Sequence, residues 1–308
     1  MVTETRKCII CENIKDVSCF NEEHIIPESL GNKALKIYSV CKRCNELLGE
    51  KIDSELVNNV VAEGYRHIHK IRGKKGHIPH PFEYGRTAEG KLVRLDENFK
   101  PHWVVPNIDI ERIGEHEALI HYNGGRDIDA AIKAINKKLK RNGIPKLSDA
   151  QLKDMRENAV VTQEHSSLNY QFKEVNFDRL KLAYMKIAYE FGYYLWGKDY
   201  LNDLIAQEIR ERIYGYIYND VIYDDLNNYA RWDSFDFSIL TDLLVSDKNL
   251  DYSYRHTLVS SGTISETIMA IIIFPKMHCS VRYCTNDNRF KKMTVYVVQY
   301  PGAKIFQL

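Results

Sequence analysis

Cys8-Ile9-Ile10-Cys11, Glu22-Glu23-His24-Ile25-Ile26-Pro27-Glu28-Ser29-Leu30-Gly31 and Cys41-Lys42-Arg43-Cys44-Asn45-Glu46-Leu47-Leu48-Gly49 follow one another within the first fifty residues. The outer two contain Cys-x-x-Cys knuckles with 29 residues between them. Two residues between cysteines let both thiolates of a knuckle reach one ion, and two knuckles complete a tetrahedral four-thiolate shell of the kind zinc takes. A closed shell leaves no position for a substrate, so Cys8, Cys11, Cys41 and Cys44 are expected to hold a structural zinc. The ion is expected to supply much of the folding free energy of a segment with few large apolar side chains. A redox role is the other reading of a lone Cys-x-x-Cys pair, and a matched set of two argues against it.

Taken together over about residues 8 to 53, these stretches resemble the HNH endonucleases, a branch of the ββα-metal nucleases. Within that family they resemble a subgroup reading Cys-x-x-Cys, Glu-His-Ile-Ile-Pro-x-Ser-Leu-Gly and Cys-x-x-Cys-Asn-x-x-Leu-Gly. The resemblance implies that His24 lies on the first strand and acts as general base toward the attacking water. An imidazole suits that work because its unperturbed pKa is close to working pH. It implies that Glu23 ligates a single Mg2+ or Mn2+ ion through a carboxylate oxygen, and that Asn45 supplies another oxygen from the helix after the second knuckle. Such an ion would stabilise charge developing on the scissile phosphate and the leaving oxygen. Cys44 precedes Asn45, so the zinc would fix the helix that presents the ligand.

The sequence also departs from the family pattern. The position five residues before the second knuckle, commonly Asn, is Lys36, and the nearby candidates for its role are Asn32 and Ser39. Plainer readings stand beside the catalytic one. The module could bind nucleic acid without cutting it, with His24 buried on a backbone carbonyl, Glu23 an exposed strand residue and Asn45 a helix cap.

The expected fold class is α+β: a zinc-bound ββα-metal (HNH) module over residues 1–60, a strand and loop region over 61–125, and a C-terminal domain of helices and antiparallel sheet over 126–308. In the last of these, Asp127 to Arg141 carries basic residues at its C-terminal end and stops at Gly143 and Pro145, as a helix does. Ser148 with Gln151 predicts a capping box opening the next helix. Apolar residues at helical spacing from Asp178 to Trp196 predict a helix ending at Gly197, followed by another from about Tyr200 to Tyr214. His256 to Gly262, Ser265 to Phe274, Cys279 to Thr285 and Met293 to Gln299 read as strands, with Asn286-Asp287-Asn288 as a hairpin turn between the last two. Residues 182 to 210 also resemble the C-terminal part of the same subgroup, through Lys186-Ile187-Ala188-Tyr189-Glu190-Phe191. Glu190 is the odd member of its apolar helix and is expected to pair with Arg210 or Arg212. Cys19, Cys279 and Cys284 read as buried small hydrophobes, with a second metal site at His278, Cys279 and Cys284 disfavoured for want of a fourth ligand.

The 308 residues include 44% hydrophobic and 28% charged side chains, a globular composition and not a disordered one. The longest apolar run, Ile268 to Phe274, is strand-sized, and the N-terminus is polar, so neither a membrane span nor a signal peptide is expected. Seven cysteines, four of them in two knuckles, argue for a reducing compartment and a metal, which points to the cytoplasm. Net charge is +1, so the chain is no polycation. Its basic residues are uneven: Arg66, Lys70, Arg72, Lys74 and Lys75 fall within residues 65–80, which contain no carboxylate. With Lys42 and Arg43 of the second knuckle they are candidates for phosphate contact. The expected partner is nucleic acid, DNA before RNA, with a regulatory protein or nucleotide as a further candidate partner for the C-terminal domain.

Overall fold

The computed structural model describes residues 4–73, 75–104, 107–112, 118–123, 128–158, 160, 167–232, 255–262, 267–274, 277–285, 287–290 and 293–299. The chain forms two compact units, one from residues 1–79 with 173–308 and the other from residues 80–172. This division differs from the three consecutive segments expected from composition. Its cause is burial: the knuckle segment and the C-terminal helices share one hydrophobic core, in which Ile10, Ile25 and Leu48 belong to the same cluster as Tyr184, Ile187, Ile213, Ile271 and Val281. About sixty residues enclose only a marginal core of their own, and this segment completes one with apolar faces that arrive more than a hundred residues later.

In the first unit, β1 (Thr5–Lys7) pairs antiparallel with β2 (Ile14–Asp16), which puts the first knuckle in the turn between them. β3 (Glu23–His24) pairs antiparallel with β4 (Lys36–Ile37), Glu23 opposite Ile37 and His24 opposite Lys36. The second knuckle starts α1 (Lys42–Leu48), with Cys41 at its N-cap position. A π-turn over Gly49–Asp53 leads to α2 (Ser54–Val57), and α3 (Val60–Ile68) follows after Asn59, whose side chain accepts the N–H groups of Val61 and Ala62.

The unit resumes with α6 (Phe177–Trp196), numbered after two helices of the second unit. Its middle, Leu180 to Gly192, is buried all round, the signature of a helix crossing a core. The helix expected from about Tyr200 is instead two, α7 (Lys198–Leu201) and α8 (Leu204–Asn219). Asp203 separates them because its carboxylate accepts the N–H groups of Ile205 and Ala206 as an N-cap.

The C-terminal sheet is antiparallel in the order β10-β13-β12-β11-β14, formed by β10 (Ala230–Arg231), β11 (Arg255–Gly262), β12 (Thr267–Ile273), β13 (Met277–Cys284) and β14 (Thr294–Gln299). The four strands expected here are present, but the hairpin between the last two is not. β14 pairs with β11 at the far side, while the outer edge of β13 is taken by β10. Asn286 lies outside the described residues. After Asp287 the chain makes a 3-10 turn, Asn288–Phe290, that buries Phe290 against Trp196 with ring centroids 4.9 Å apart. Cys279 and Cys284 are buried as expected, whereas Cys19 is exposed at the end of a short 3-10 turn, contrary to its reading as a core residue.

The second unit holds a three-stranded antiparallel sheet of β5 (Tyr84–Arg86), β6 (Leu92–Leu95) and β7 (Pro101–Trp103), and a hairpin of β8 (Asn107–Arg112) with β9 (Ala118–Asn123). Here α4 (Ile128–Arg141) packs Ala131, Ile135 and Leu139 against Ile108. The helix α5 (Asp149–Asn158) opens on the capping box read from sequence: the Ser148 N–H donates to Gln151 Oε1 at 2.9 Å, and the Gln151 N–H to Ser148 Oγ at 3.4 Å. Among the described residues no helix is long and apolar enough to cross a membrane.

Candidate functional site

The strand pair β1–β2 and the start of α1 bring the two knuckles together. The sulfur atoms of Cys8, Cys11, Cys41 and Cys44 all lie within 4.8 Å of one another, the one His, Cys or carboxylate group of this kind among the described residues. Four convergent thiols are the donor set of a structural zinc, and the cluster is compatible with that ion. Its surroundings are supplied partly from far along the chain. Lys15 donates to Cys41 Sγ at 3.2 Å, the Cys41 N–H donates to Cys8 Sγ at 3.4 Å, and the Tyr218 hydroxyl on α8 lies 3.2 Å from Cys44 Sγ. A hydrogen bond from Cys44 pulls the Cys8 thiol down to about 4, and the same contact pushes Cys44 up, as expected where thiols are crowded enough to share a ligand. Tyr189 donates to the Ile9 carbonyl at 2.7 Å, and Arg210 to the Ile10 carbonyl at 3.3 Å, so α6 and α8 also hold the first knuckle's turn.

On the other side of α1 lies a cleft of about 1030 Å³ whose lining includes Glu23, His24 and Asn45. Three residues named from sequence thus face one space. His24 is half-buried; burial holds its imidazole below the ordinary histidine range, while the Glu28 and Glu22 carboxylates act the other way. The neutral form, the one able to accept a proton, is thereby favoured. Asn45 donates its side-chain amide to the Glu22 carbonyl at 2.8 Å and to Asn21 Oδ1 at 3.3 Å, which ties α1 to the approach of β3. It is not the helix cap, since that position is Cys41. Nor is Glu23 an exposed strand residue, being 3% accessible.

The described lining of the cleft contains Glu22, Glu23, Glu28, Glu46, Glu50 and Asp53 against one basic residue, Lys75. Carboxylate and amide oxygens are the hard donors that Mg2+ and Mn2+ take, so the residues present fit such an ion. Beneath the floor, Glu23 Oε1 is 2.6 Å from the ammonium of Lys186, which is wholly buried on α6. The same ammonium lies 3.4 Å from Asp53 Oδ2 and 3.2 Å from Glu190 Oε2, and it donates to the His24 carbonyl at 2.9 Å. Burial opposes the lysine's charge, but Asp53, Glu190 and Glu23 outweigh it and hold the group well above the usual lysine range. Burial raises the Glu190 carboxyl well above its ordinary value, against the pull of Lys186. Glu190 therefore pairs with Lys186, and not with Arg210 or Arg212. Arg210 sits 3.1 Å from Glu12, and Arg212 pairs with Asp225.

The loop from β3 to β4 is braced by Asn32, which is fully buried. Its amide donates to the carbonyls of Ile26 at 2.7 Å and Leu35 at 2.8 Å, and its Oδ1 accepts the N–H groups of Leu35 and Ala34 at 2.9 and 3.2 Å. Of the two nearby candidates, it is Asn32 that steadies this loop. Ser39 bonds the Tyr193 hydroxyl at 2.8 Å, and Lys36 pairs with Glu22 at 2.6 Å.

The basic candidates are scattered. Lys42 and Arg43 are exposed on α1, with Arg43 3.9 Å from Glu46. Lys75 lines the cleft. Lys70 and Arg72 are exposed, Arg72 donating to the Gly76 carbonyl at 2.9 Å, and Lys74 lies outside the described residues. Arg66 is buried and reaches the Val57 carbonyl at 3.5 Å, so its guanidinium is not presented on the surface as expected. Two residues beside the candidate site escaped sequence reading: Lys186 and Asp53. The signal available for the first was the Lys186–Glu190 pair, two charges four residues apart inside an apolar helix.

No curated protein and no solved structure matches the chain. Residues 8–61, which carry both knuckles, the Glu23–His24 strand, Asn45 and Asp53, match the model of the family described as HNH endonuclease, the family that their motifs resemble.

Proposed function

We propose that the protein is a metal-dependent endonuclease that hydrolyses phosphodiester bonds in DNA, acting as an effector in a bacterial or phage restriction or antiviral defence system. The observation that supports it most is the convergence of Glu23, His24 and Asn45 on one acidic cleft, within the segment that matches the HNH endonucleases. In this reading a nitrogen of the neutral His24 imidazole takes the proton of the attacking water. Glu23 and Asn45 would hold a Mg2+ or Mn2+ ion, which when bound stabilises charge on the scissile phosphate. Asn32 keeps the loop behind the histidine in place, and the four cysteines hold Asn45 opposite Glu23. Lys42, Arg43, Lys70, Arg72 and Lys75 would meet the phosphates.

The test is plasmid nicking with Mg2+ or Mn2+, comparing wild type with His24→Ala at equal zinc content. A loss on the order of a hundredfold or more is expected from removing a general base. Equal rates would leave a module that binds nucleic acid without cutting it.

A second reading, a nuclease gated by a nucleotide or partner protein, draws on a second cleft of about 980 Å³ whose lining includes Arg6, Lys198, Arg210, Tyr38, Tyr193 and Tyr194. Cations beside tyrosine rings are the chemistry that receives a phosphate and a base. Nicking that starts only when such a molecule is added supports gating, and full activity without it removes the reading.

A further inference from the structure

Resting on the nuclease reading above, we propose that Lys186 is a positioning residue of the hydrolytic centre. From α6 its ammonium holds the Glu23 carboxylate, the His24 backbone and the Asp53 carboxylate in the arrangement that receives a divalent ion, with Glu190 aiming it and Asp53 serving beside Glu23 as a ligand.

An ammonium has three N–H donors. Around Lys186 stand Glu23 at 2.6 Å, the His24 carbonyl at 2.9 Å, Glu190 at 3.2 Å and Asp53 at 3.4 Å, more acceptors than donors. The two shortest contacts fall on successive residues of β3, the side chain of one and the carbonyl of the next. A single group therefore sets both the reach of the metal ligand and the rotation of the strand that carries the base. Asp53 comes from the π-turn after α1, so the same ammonium also ties the helix side of the cleft to the strand side.

The charge arithmetic points outward. Two carboxylates, Glu23 and Asp53, line the cleft against one ammonium, whereas Lys186 and the Glu190 carboxyl, whose neutral form burial favours, lie behind it. The excess negative charge is thus presented to the cleft, where a divalent cation would meet it. As a device for stability alone this cluster is poor, because burying charges costs desolvation that a packed apolar group avoids, and an unbalanced set recovers less of it. Glu190 lies one turn beyond Lys186 on the same helix, in register to hold the lysine's aim.

The test uses the full-length, zinc-loaded protein and follows Mn2+ binding by electron paramagnetic resonance beside plasmid nicking. Lys186→Met with Glu190→Met removes the ammonium together with the carboxyl behind it and fills the space with apolar groups. A positioning role predicts a cooperative melt and intact zinc, with Mn2+ bound at least tenfold more weakly and kcat lowered at least a hundredfold while KM for DNA holds. Mn2+ affinity and kcat both within threefold of wild type in the folded double variant would overturn the proposal. If the double variant does not fold, Glu190→Leu, which takes away the carboxyl that aims the ammonium, decides it. Mn2+ affinity reduced threefold or more supports the proposal, and unchanged affinity overturns it. Wild type that binds Mn2+ through Glu23, as judged by Glu23→Gln, yet nicks nothing with or without an added nucleotide refutes the nuclease reading and leaves the Lys186 proposal to stand or fall on Mn2+ affinity. Mn2+ binding that Glu23→Gln does not disturb overturns the proposal.

Discussion

His256 lies at the start of β11 and is buried between two backbone partners, the Leu30 carbonyl 2.8 Å from Nε2 and the Phe274 N–H 3.2 Å from Nδ1. Assigned from these partners, the proton is on Nε2, since Nδ1 must accept. Burial drives its pKa down to about 4, against a smaller upward pull from the Leu30 carbonyl. An unfolded histidine titrates at about 6.5, so the folded value is depressed and the unfolded chain binds more protons in between. The stability contributed is complete above about pH 6.5 and is lost as pH falls toward the folded value, on the order of 3 kcal/mol in all. Thermal melts from pH 7 to 4.5 should therefore fall more steeply for wild type than for His256→Gln; parallel curves would show that another group governs this range. Asn32 makes a sharper case at the same scale. Asn32→Ala strands the Ile26 carbonyl and the N–H groups of Ala34 and Leu35, while the Leu35 carbonyl keeps the Ile25 N–H, and is expected to cost about 3 kcal/mol in chemical denaturation, where a loss below about 1 kcal/mol would mean the loop is braced elsewhere.

Elements are held together here by close packing as much as by polar ties. On α6, a Cβ added at Gly192 would lie 2.4 to 2.7 Å from ring atoms of Tyr200, itself fully buried. In an exposed helix the change from Gly to Ala gains about 1 kcal/mol, but here the clash decides the sign. Gly192→Ala should lower stability by about 2 kcal/mol, read as a shift in the urea midpoint at unchanged slope. α1 depends on a different tie. Its N-cap is Cys41, whose thiol makes no side-chain cap bond, so a zinc ion held by Cys41 and Cys44 would anchor a helix start that no capping oxygen holds. Stripping zinc with a chelator should melt α1 first and free Asn45 from Glu22. The expected reading is loss of helical circular dichroism together with nicking activity, both restored by zinc and not by Mg2+. Activity that survives complete zinc removal would separate the staple from the site.

For the whole molecule the shared core carries the main consequence. The knuckle segment is joined to α6 and α8 through Lys186, Tyr189, Arg210 and Tyr218, in addition to apolar packing. Residues 1–79 expressed alone with zinc are accordingly expected to show no cooperative melt and rapid proteolysis, because Ile25, Leu48 and the Glu23 carboxylate lose their partners together. A cooperative transition from that fragment would contradict the shared core.

Local chemistry was legible in the chain as written. Cys8, Cys11, Cys41 and Cys44 sit at spacings that only converge one way, the Ser148–Gln151 box acts over three residues, and the apolar period of α6 needs no distant information. Within each knuckle, the box and the helix period the partners lie a few residues apart, where spacing and geometry are nearly the same thing. Long-range choices were not legible. Whether β14 turns back onto β13 or crosses to β11 depends on which edge is already covered, and β10 covers it from far upstream. The partner of Glu190 depends on which charges share its buried volume, and that volume is enclosed only when α6 crosses beneath β3. So the motif carried the identity of the site, while the fold supplied Lys186 and Asp53. A buried charge is settled by everything packed around it, and packing brings together residues that sequence leaves far apart.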